Sequence, residues 1–280
     1  MRFGFKTSPQ MTTWDDMLAV WKAADDIEVF ESGWNFDHFY PIFTDDPHGP
    51  CMEAWVTLTA LAQETSRLRV GCMVNGMVYR HPAVFANMAA TLDITSGGRL
   101  ELGVGAGWNE EECEAYGIDL GTLTERFDRF EESLAVLTGL FENDTTDFSG
   151  KYFTLKNAAL NPKGPQTPHP PICIGGAGEK RTLPLVAKYA QHWNFPGFEP
   201  DEFVATREVL HARCADIGRD PSEIMTSQHL VYTADTSVGE LAEKAQAQSE
   251  VGLDLSIVYL APPHSPAVLE PLAEALSQVD

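Results

Sequence analysis

The chain has 280 residues, 44% of them hydrophobic, so it can bury a large core as one α/β barrel or as two smaller domains. Its formal charge at pH 7 is -22, from 19 basic and 41 acidic residues. This balance argues against a nucleic-acid partner and against an anionic membrane surface. The five cysteines form no CxxC pair and no ligand-like spacing with histidine, which indicates a reduced compartment and no metal site.

The N-terminal segment, MRFGFKT, alternates like a strand and contains no apolar signal core. Nowhere in the chain do apolar residues run on for the length that a membrane-spanning helix needs. We therefore expect a soluble, cytoplasmic protein.

Strands and helices alternate along the first half of the chain. Thr13 and Pro82 mark helix starts, because Thr is a good N-cap and Pro is tolerated in the first helical turn. An apolar helix is predicted over Met52–Thr65, and a T-x-x-E pattern at Thr122 caps a longer helix with one wide apolar face. The predicted strands of this half are Arg2–Thr7, Gly33–His38, Leu68–Val74 and Leu100–Val104.

The alternation breaks between Glu142 and His169, where Asn, Asp, Gly and Pro are frequent and only Tyr152–Leu155 reads as extended. We expect an irregular excursion on the protein surface there. Beyond it the alternation resumes. The predicted strands of the second half are Pro171–Ile174, His192–Phe195, Thr226–Thr233 and Leu255–Leu260, with helices over Lys180–Ala190 and Pro200–Ile217, from Ser237 to near Gly252, and after Ser265.

Eight strands alternating with helices, with connections long enough for parallel crossovers, are typical of a (β/α)8 barrel rather than a doubly wound sheet. We therefore predict an α/β fold in which residues 1–280 form a single TIM-barrel domain, with the irregular excursion between strands four and five. The functional site of such a barrel lies at the C-terminal ends of its strands.

A glycine cluster, Gly175-Gly176-Ala177-Gly178, lies between the fifth predicted strand and the next helix. Glycines at such a junction let backbone N–H groups approach an anion, and the helix dipole favours negative charge there. The sequence matches neither GxxxxGK[ST] nor GxGxxG. It predicts a phosphate site, with a plain turn that binds nothing as the alternative.

His38 follows Asp37 at the end of the second predicted strand, among aromatic residues. A histidine there could donate a proton or hydrogen-bond a ring cofactor. The alternative is a buried histidine bonded to the backbone.

Three alternate glycines (Gly103, Gly105 and Gly107) end the fourth predicted strand, next to Trp108. They would let a flat ligand press against the backbone while Trp108 covers it. The chain has no GxSxG nucleophile motif. A phosphorylated cofactor is therefore expected to carry the chemistry.

Several segments occur in an order that resembles the bacterial luciferase-like superfamily of flavin and deazaflavin (coenzyme F420) barrel enzymes. The segments are FDHFYP, GCMVNGMVYRHPA, TSGGRLELGVGAGWNEEE, RFDRFEESLAVLTGLF and KYFTLKNAALNPKGPQTPHPPICIGGAG. The resemblance implies a tricyclic ring across the barrel mouth, with its phosphate on Gly175–Gly178 and His38 as the catalytic residue near the reactive face. It also implies a non-proline cis peptide after the third strand, placed at Cys72–Met73. The cofactor-binding residues it implies are Asp37, His38, Cys72, Met73, Asn75, Gly105, Gly107, Trp108, Gly175, Gly176, Ala177 and Gly178.

The sequence departs from one branch of that family. In the F420-dependent sugar-phosphate dehydrogenases, carboxylates and a tryptophan surround the hydride acceptor, and the matching positions here are Gln10, Ile42 and Trp108. This departure favours a substrate less polar than a sugar phosphate.

The leading hypothesis is an oxidoreductase that transfers a hydride between coenzyme F420 and a small organic substrate. An FMN-dependent luciferase-like monooxygenase is the nearest alternative, and a catalytically inactive barrel that binds a flavin or a partner protein is a further one. The apolar helices near Met52–Leu61 and Ala83–Ile94 would suit a homodimer face, although they would suit barrel packing equally well.

Overall fold

The computed structural model describes residues 1–280 and shows a closed parallel barrel with helices around it. The sheet order is β3-β2-β1-β11-β10-β9-β8-β5-β4, and a direct pairing of β3 with β5 closes the ring. The strands are β1 Arg2–Thr7, β2 Phe30–Asn35, β3 Arg69–Cys72, β4 Asn75–Gly76, β5 Leu100–Gly105, β6 Thr146–Ser149, β7 Thr154–Ala158, β8 Ile172–Gly175, β9 His192–Phe195, β10 Met225–Tyr232 and β11 Leu255–Leu260.

Helices follow the barrel strands and cover the outside of the sheet. They are α1 Trp14–Asp25, α2 Ala54–Glu64, α3 Pro82–Thr95, α4 Glu110–Ala115, α5 Leu123–Glu142, α6 Thr182–Tyr189, α7 Pro200–Asp216, α8 Val238–Glu250 and α9 Leu269–Leu276. The predicted caps are present: the Thr13 side chain accepts from Asp16 N, and Thr122 and Ser237 form full capping boxes. None of these helices is both long and apolar enough to cross a membrane.

The barrel interior is packed by a small cluster that includes no helix residue. Its members are Trp34, Met73, Cys173, Leu255 and Ile257. Side chains of a strand alternate between its two faces, so the residues between these point outward, against the helices, where the larger core lies. Apolar side chains therefore pack inside the barrel as well as outside it.

The excursion between the fourth and fifth barrel strands is more regular than expected. It contains an antiparallel pair, β6 with β7, in which Phe148 lies opposite Leu155. Both side chains pack on the main core, so hydrophobic burial holds a hairpin in a segment that is otherwise rich in turn residues. The prediction of an irregular surface excursion was wrong in this respect.

β3 ends at Cys72, before the predicted Val74, but the cis peptide that follows it lies one residue later than predicted. Met73 N still donates to Asn35 O at 2.9 Å, which continues the strand pairing through residue 73. The non-proline cis peptide is accordingly Met73–Val74 and not Cys72–Met73. The second strand also ends earlier than predicted, at Asn35, and leaves Asp37 and His38 in the loop that follows.

The seam between β3 and β5 is very tightly packed. A Cβ at Gly103 would overlap the backbone carbonyl oxygen of Cys72, and one at Gly105 would lie 2.8 Å from Val74 Cγ2. Gly175 on β8 faces the same side chain, with Val74 Cγ1 at 3.2 Å from the position of a Cβ. The glycines of this region therefore make room for the segment after β3, whereas the sequence suggested room for a flat ligand.

We expect Gly103→Ala to destabilise the protein by about 1–3 kcal/mol or more, because a rigid backbone carbonyl cannot move away from the added methyl group. Urea unfolding followed by circular dichroism measures the loss. Gly239→Ala on α8 is the control, since nothing lies within 4 Å of a Cβ there, and it should change stability by less than about 1 kcal/mol. Equal effects of the two substitutions would contradict the packing argument.

Candidate functional site

A cavity with two lobes opens at the C-terminal ends of the barrel strands. The smaller lobe has a volume of about 370 Å³ and the larger of about 690 Å³. Both lobes share one stretch of wall, formed by Lys6, Phe36, Ile42, Phe43 and His229. The smaller lobe is also lined by Asp37, His38, Met73, Val74, Asn75, Gly76, Tyr79, Gly107, Trp108, Gly175, Gly176, Asn194 and Pro196.

His38 is buried at the wall of the smaller lobe and is held by Glu112 of α4. The distance from His38 Nδ1 to Glu112 Oε2 is 3.2 Å, and the same oxygen accepts from Phe39 N at 2.9 Å. Because an ionised carboxylate can only accept, Nδ1 must carry the proton and Nε2 is the nitrogen left to exchange one with a ligand. The imidazole also meets the rings of Phe36 and Trp108 edge-on, with centroids 5.0 and 5.4 Å away.

Glu112 is the partner of His38, although in the sequence it is only one of several acids in a first helical turn. Its side chain is fully buried. Burial opposes its ionisation, but the hydrogen bonds from His38 and Phe39 outweigh burial and lower the pKa of the carboxyl below its usual value. Asn109, the N-cap of α4, accepts from Glu112 N at 3.2 Å and fixes the residue in place.

Asp37 is committed to an ion pair and is not free for a ligand. Arg80 donates to both of its oxygens, from Nη1 at 2.5 Å and from Nη2 at 3.0 Å, and Arg80 Nη2 also contacts Glu53 Oε1 at 2.6 Å. Burial raises the pKa of Asp37 although Arg80 opposes the rise. The pair ties the loop after β2 to the segment before α3, so Asp37 shapes the wall beside His38.

The glycine cluster is only partly available to an anion. Gly176 N donates to Asn194 O at 3.1 Å, and Gly176 O accepts from Trp193 Nε1 at 2.8 Å. The N–H groups of Ala177 and Gly178 have no protein acceptor. α6 begins at Thr182 and not at Lys180, and Arg181 is paired with Asp128 at 2.6 Å.

The remaining predicted site residues divide into two groups. Met73, Asn75, Gly107 and Trp108 line the smaller lobe. The amide of Asn75 is already hydrogen-bonded within the protein, because its nitrogen donates to Gly103 O at 2.5 Å and its oxygen accepts from Trp55 Nε1. Cys72, Gly105, Ala177 and Gly178 lie outside the lobe wall. Burial raises the pKa of Cys72 well above its usual value, so its thiol is inert.

Trp108 and Phe43 form an exposed aromatic rim. Their rings are stacked, with centroids 5.9 Å apart and planes at 8°. Phe43 is 92% exposed and Trp108 is 52% exposed. The rim lies over the junction of the two lobes, because Phe43 lines both of them.

Two further residues of the shared wall were missed. In the sequence, Lys6 is simply part of the first strand, and no motif singles out His229 on β10. The alternation of β1 predicts that Lys6 points into the barrel, because Phe3 and Phe5 pack outward into the main core. A lysine inside a barrel calls for a reason, because burying a charge is costly.

Known proteins resemble this chain over most of its length. The model of the family described as Luciferase-like monooxygenase matches residues 1–277. An F420-dependent glucose-6-phosphate dehydrogenase of Amycolatopsis mediterranei (strain U-32) is 32% identical over 207 residues, which is 74% of this chain and 57% of that protein. A phthiodiolone/phenolphthiodiolone dimycocerosates ketoreductase of Mycobacterium sp. (strain JLS) is 32% identical over 192 residues, 66% of this chain and 49% of that protein.

Among solved structures, an F420-dependent secondary alcohol dehydrogenase in complex with an F420-acetone adduct superimposes with a TM-score of 0.89 at 21% identity, covering 100% of this chain and 99% of that one. At this identity the likeness concerns the fold. The chain spans only 57% and 49% of the two sequence relatives above.

We expect Glu112→Gln to destabilise the protein at pH 7 by about 1–3 kcal/mol, because the buried donors of His38 and Phe39 lose a charged acceptor. Glu112 has a lowered pKa in the folded state, so its contribution is present above the unfolded value of about 4.3 and is lost as the pH falls through the folded value. Urea unfolding at pH 7 and at pH 4 should therefore show a smaller difference between variant and wild type at the lower pH. The exposed neighbour Glu111→Gln is the control, and an equal difference at both pH values would contradict the role of the charge.

Proposed function

The chain belongs to the luciferase-like monooxygenase family, and on that premise we propose that it is an oxidoreductase that transfers a hydride between coenzyme F420 and a small organic substrate. The observation that carries the proposal is the His38–Glu112 pair in the wall of the smaller lobe, on the same lobe as Gly175 and Gly176. The names of the sequence relatives support F420 as the cofactor.

The residues present fit such a cofactor at both of its ends. The unpartnered N–H groups of Ala177 and Gly178 would hold its phosphate, and a side chain at 178 would crowd Thr182 Oγ1, which lies 2.9 Å from a Cβ there. The smaller lobe, between Met73 and Trp108, would hold the ring. When bound, F420 supplies a hydride donor or acceptor at C5 of its deazaflavin ring.

The protein's own contribution is to move a proton and exclude water. His38 Nε2 gives or takes the proton that accompanies hydride transfer, and Glu112 keeps the imidazole in the tautomer that leaves Nε2 free. The aromatic rings of Phe36 and Trp108 against His38 limit the water that can reach it.

The larger lobe favours a substrate less polar than a sugar phosphate. Its walls include Phe198, Val231, Ala261, Pro262 and Pro263. Gln10 also lines this lobe, but its amide is hydrogen-bonded to the backbone of Ile42. Its nitrogen donates to Ile42 O at 3.0 Å and its oxygen accepts from Ile42 N at 2.6 Å. The one amide side chain in this wall is therefore engaged by the chain itself.

Three features stay predictions. They are a single domain over residues 1–280, a cytoplasmic location and a homodimer. The exposed side chains of Val56 and Val84 on α2 and α3 support an interface there, since they are 72% and 58% exposed.

We expect the purified protein to bind F420 with micromolar or lower Kd and FMN at least about tenfold more weakly, because a preformed site discriminates by the fit of the whole ring and tail. Quenching of tryptophan fluorescence, to which Trp108 contributes, measures both constants. Gly178→Ala should weaken F420 binding, while Gly239→Ala should not. Micromolar FMN binding with none for F420 would favour the FMN-dependent monooxygenase instead.

His38→Ala should leave the affinity for F420 largely intact and reduce turnover by about 10²-fold or more, the scale for a lost general acid or base. The measurement is the change in F420 absorbance with a panel of small alcohols and ketones. His211→Ala on α7, far from the mouth, is the control. Unchanged turnover in His38→Ala would make the histidine structural and would favour an inactive, flavin-binding barrel.

A further inference from the structure

Lys6 is a cation without an anionic partner in the middle of the cavity. It lines both lobes, and its Nζ makes one hydrogen bond, to the backbone oxygen of Met73 at 3.1 Å. The rings of Phe36 and Tyr259 flank it, with centroids 5.9 and 5.7 Å from Nζ. Lys6 belongs to none of the protein's ion pairs.

The other cationic and acidic groups at the mouth are paired, which makes Lys6 an exception. Arg80 holds Asp37 and Glu53, and Glu112 holds His38. A lysine with one backbone acceptor keeps donors to spare, because an ammonium group carries three. Those donors can only be satisfied from the cavity.

His229 is a second unsatisfied polar group on the same wall. Its Nε2 is buried and has no hydrogen-bond partner. Burial first, and then the charge of Lys6, lowers the pKa of His229 well below its usual value, so the ring is neutral at pH 7. The wall shared by the two lobes thus offers a free ammonium beside a neutral imidazole.

We propose that this wall binds the oxyanion of a small monocarboxylate, with the carboxylate on Lys6 and the apolar body of the ligand in the larger lobe. The carboxylate of such a ligand accepts hydrogen bonds from Lys6 and neutralises its charge, which no protein carboxylate does. The apolar residues that line the larger lobe, Val231 and Pro262 among them, suit an apolar body. The inference rests on the proposed function only in taking this ligand to be the substrate.

The titration of Lys6 gives the binding a signature. Burial lowers the pKa of Lys6 to about 8, although the nearby Cys72 opposes the shift. The titratable groups that face Lys6 are Cys72, His229 and Tyr259; the thiol and the phenol have raised pKa values and the imidazole a lowered one. Lys6 is therefore the group among them that changes charge near pH 8.

The probe pair for the test is cyclohexanecarboxylate and its neutral analogue cyclohexanecarboxamide, titrated by calorimetry into the protein without cofactor. We expect the wild type to bind the carboxylate about tenfold or more tightly than the amide at pH 7, on the scale of a charge-assisted hydrogen bond. Lys6→Met should abolish this preference while leaving amide binding unchanged. Lys156→Met, an exposed site on β7, removes the same charge from the protein and should behave as the wild type.

A second measurement needs no variant, so it serves even where Lys6→Met fails to fold. At pH 8.5 the carboxylate should bind with uptake of up to about 0.7 proton, because an anion raises the pKa of a lysine that is mostly deprotonated there. Titrations in two buffers of different ionisation enthalpy give this number. The absence of proton uptake, or of a preference for the carboxylate in the wild type, would contradict the inference.

The remaining outcomes separate this inference from the proposed function. If Lys6→Met weakens F420 binding about tenfold and keeps the preference for carboxylate, the cation serves the cofactor and the inference is wrong. A protein that binds F420 but shows no preference for the carboxylate contradicts the inference alone. One that prefers the carboxylate but binds no F420 contradicts the proposed function alone.

Discussion

The close approach of β3 and β5 at the point where the barrel closes determines the rest of the site. Only glycine at position 103 allows the carbonyl of Cys72 to lie where it does, and Gly105 and Gly175 leave space for Val74. Asn75 then ties the same segment to Gly103 and to Trp55 of α2. Residues 73–76 are thereby fixed as one wall of the smaller lobe, and the oxygen of Met73 becomes the anchor for Lys6. Packing within the chain, and not a ligand, therefore sets the shape of this wall.

The fold and several site residues follow from the sequence because both depend on local patterns. β1, β9 and β11 have the predicted bounds, since each is a short apolar or alternating run between clear breaks. β2 was predicted too late because the aromatic residues around Asp37 continue the apolar pattern past the last paired residue. The glycines stand out in the sequence, but sequence cannot tell whether a missing side chain makes room for a ligand or for another part of the chain.

The remaining features of the site depend on contacts between distant residues, which no local pattern contains. Glu112 is one of several acids in a row, and only the packing of α4 against the loop after β2 selects it as the partner of His38. The resemblance implies that Asp37 is a cofactor-binding residue, but Arg80 occupies both of its oxygens. For Lys6 the alternation of β1 was sufficient to place the side chain inside the barrel. That Lys6 has no carboxylate partner becomes evident only from the structure, in which Glu31 of the neighbouring β2 is paired with Arg2.

Because the protein carries a large negative charge, the recognition of an anion depends on the few free hydrogen-bond donors at the mouth. With a formal charge of -22, the protein repels anions at long range, and salt screens this repulsion beyond a Debye length of about 8–10 Å. Inside the cavity, burial leaves little salt or water to screen the charge of Lys6, so this charge acts at nearly full strength. Recognition of anionic groups must therefore be short-ranged and geometric, decided by a handful of donors whose positions the barrel fixes. A surface that attracts anions from a distance would speed encounter, whereas this arrangement favours discrimination at contact.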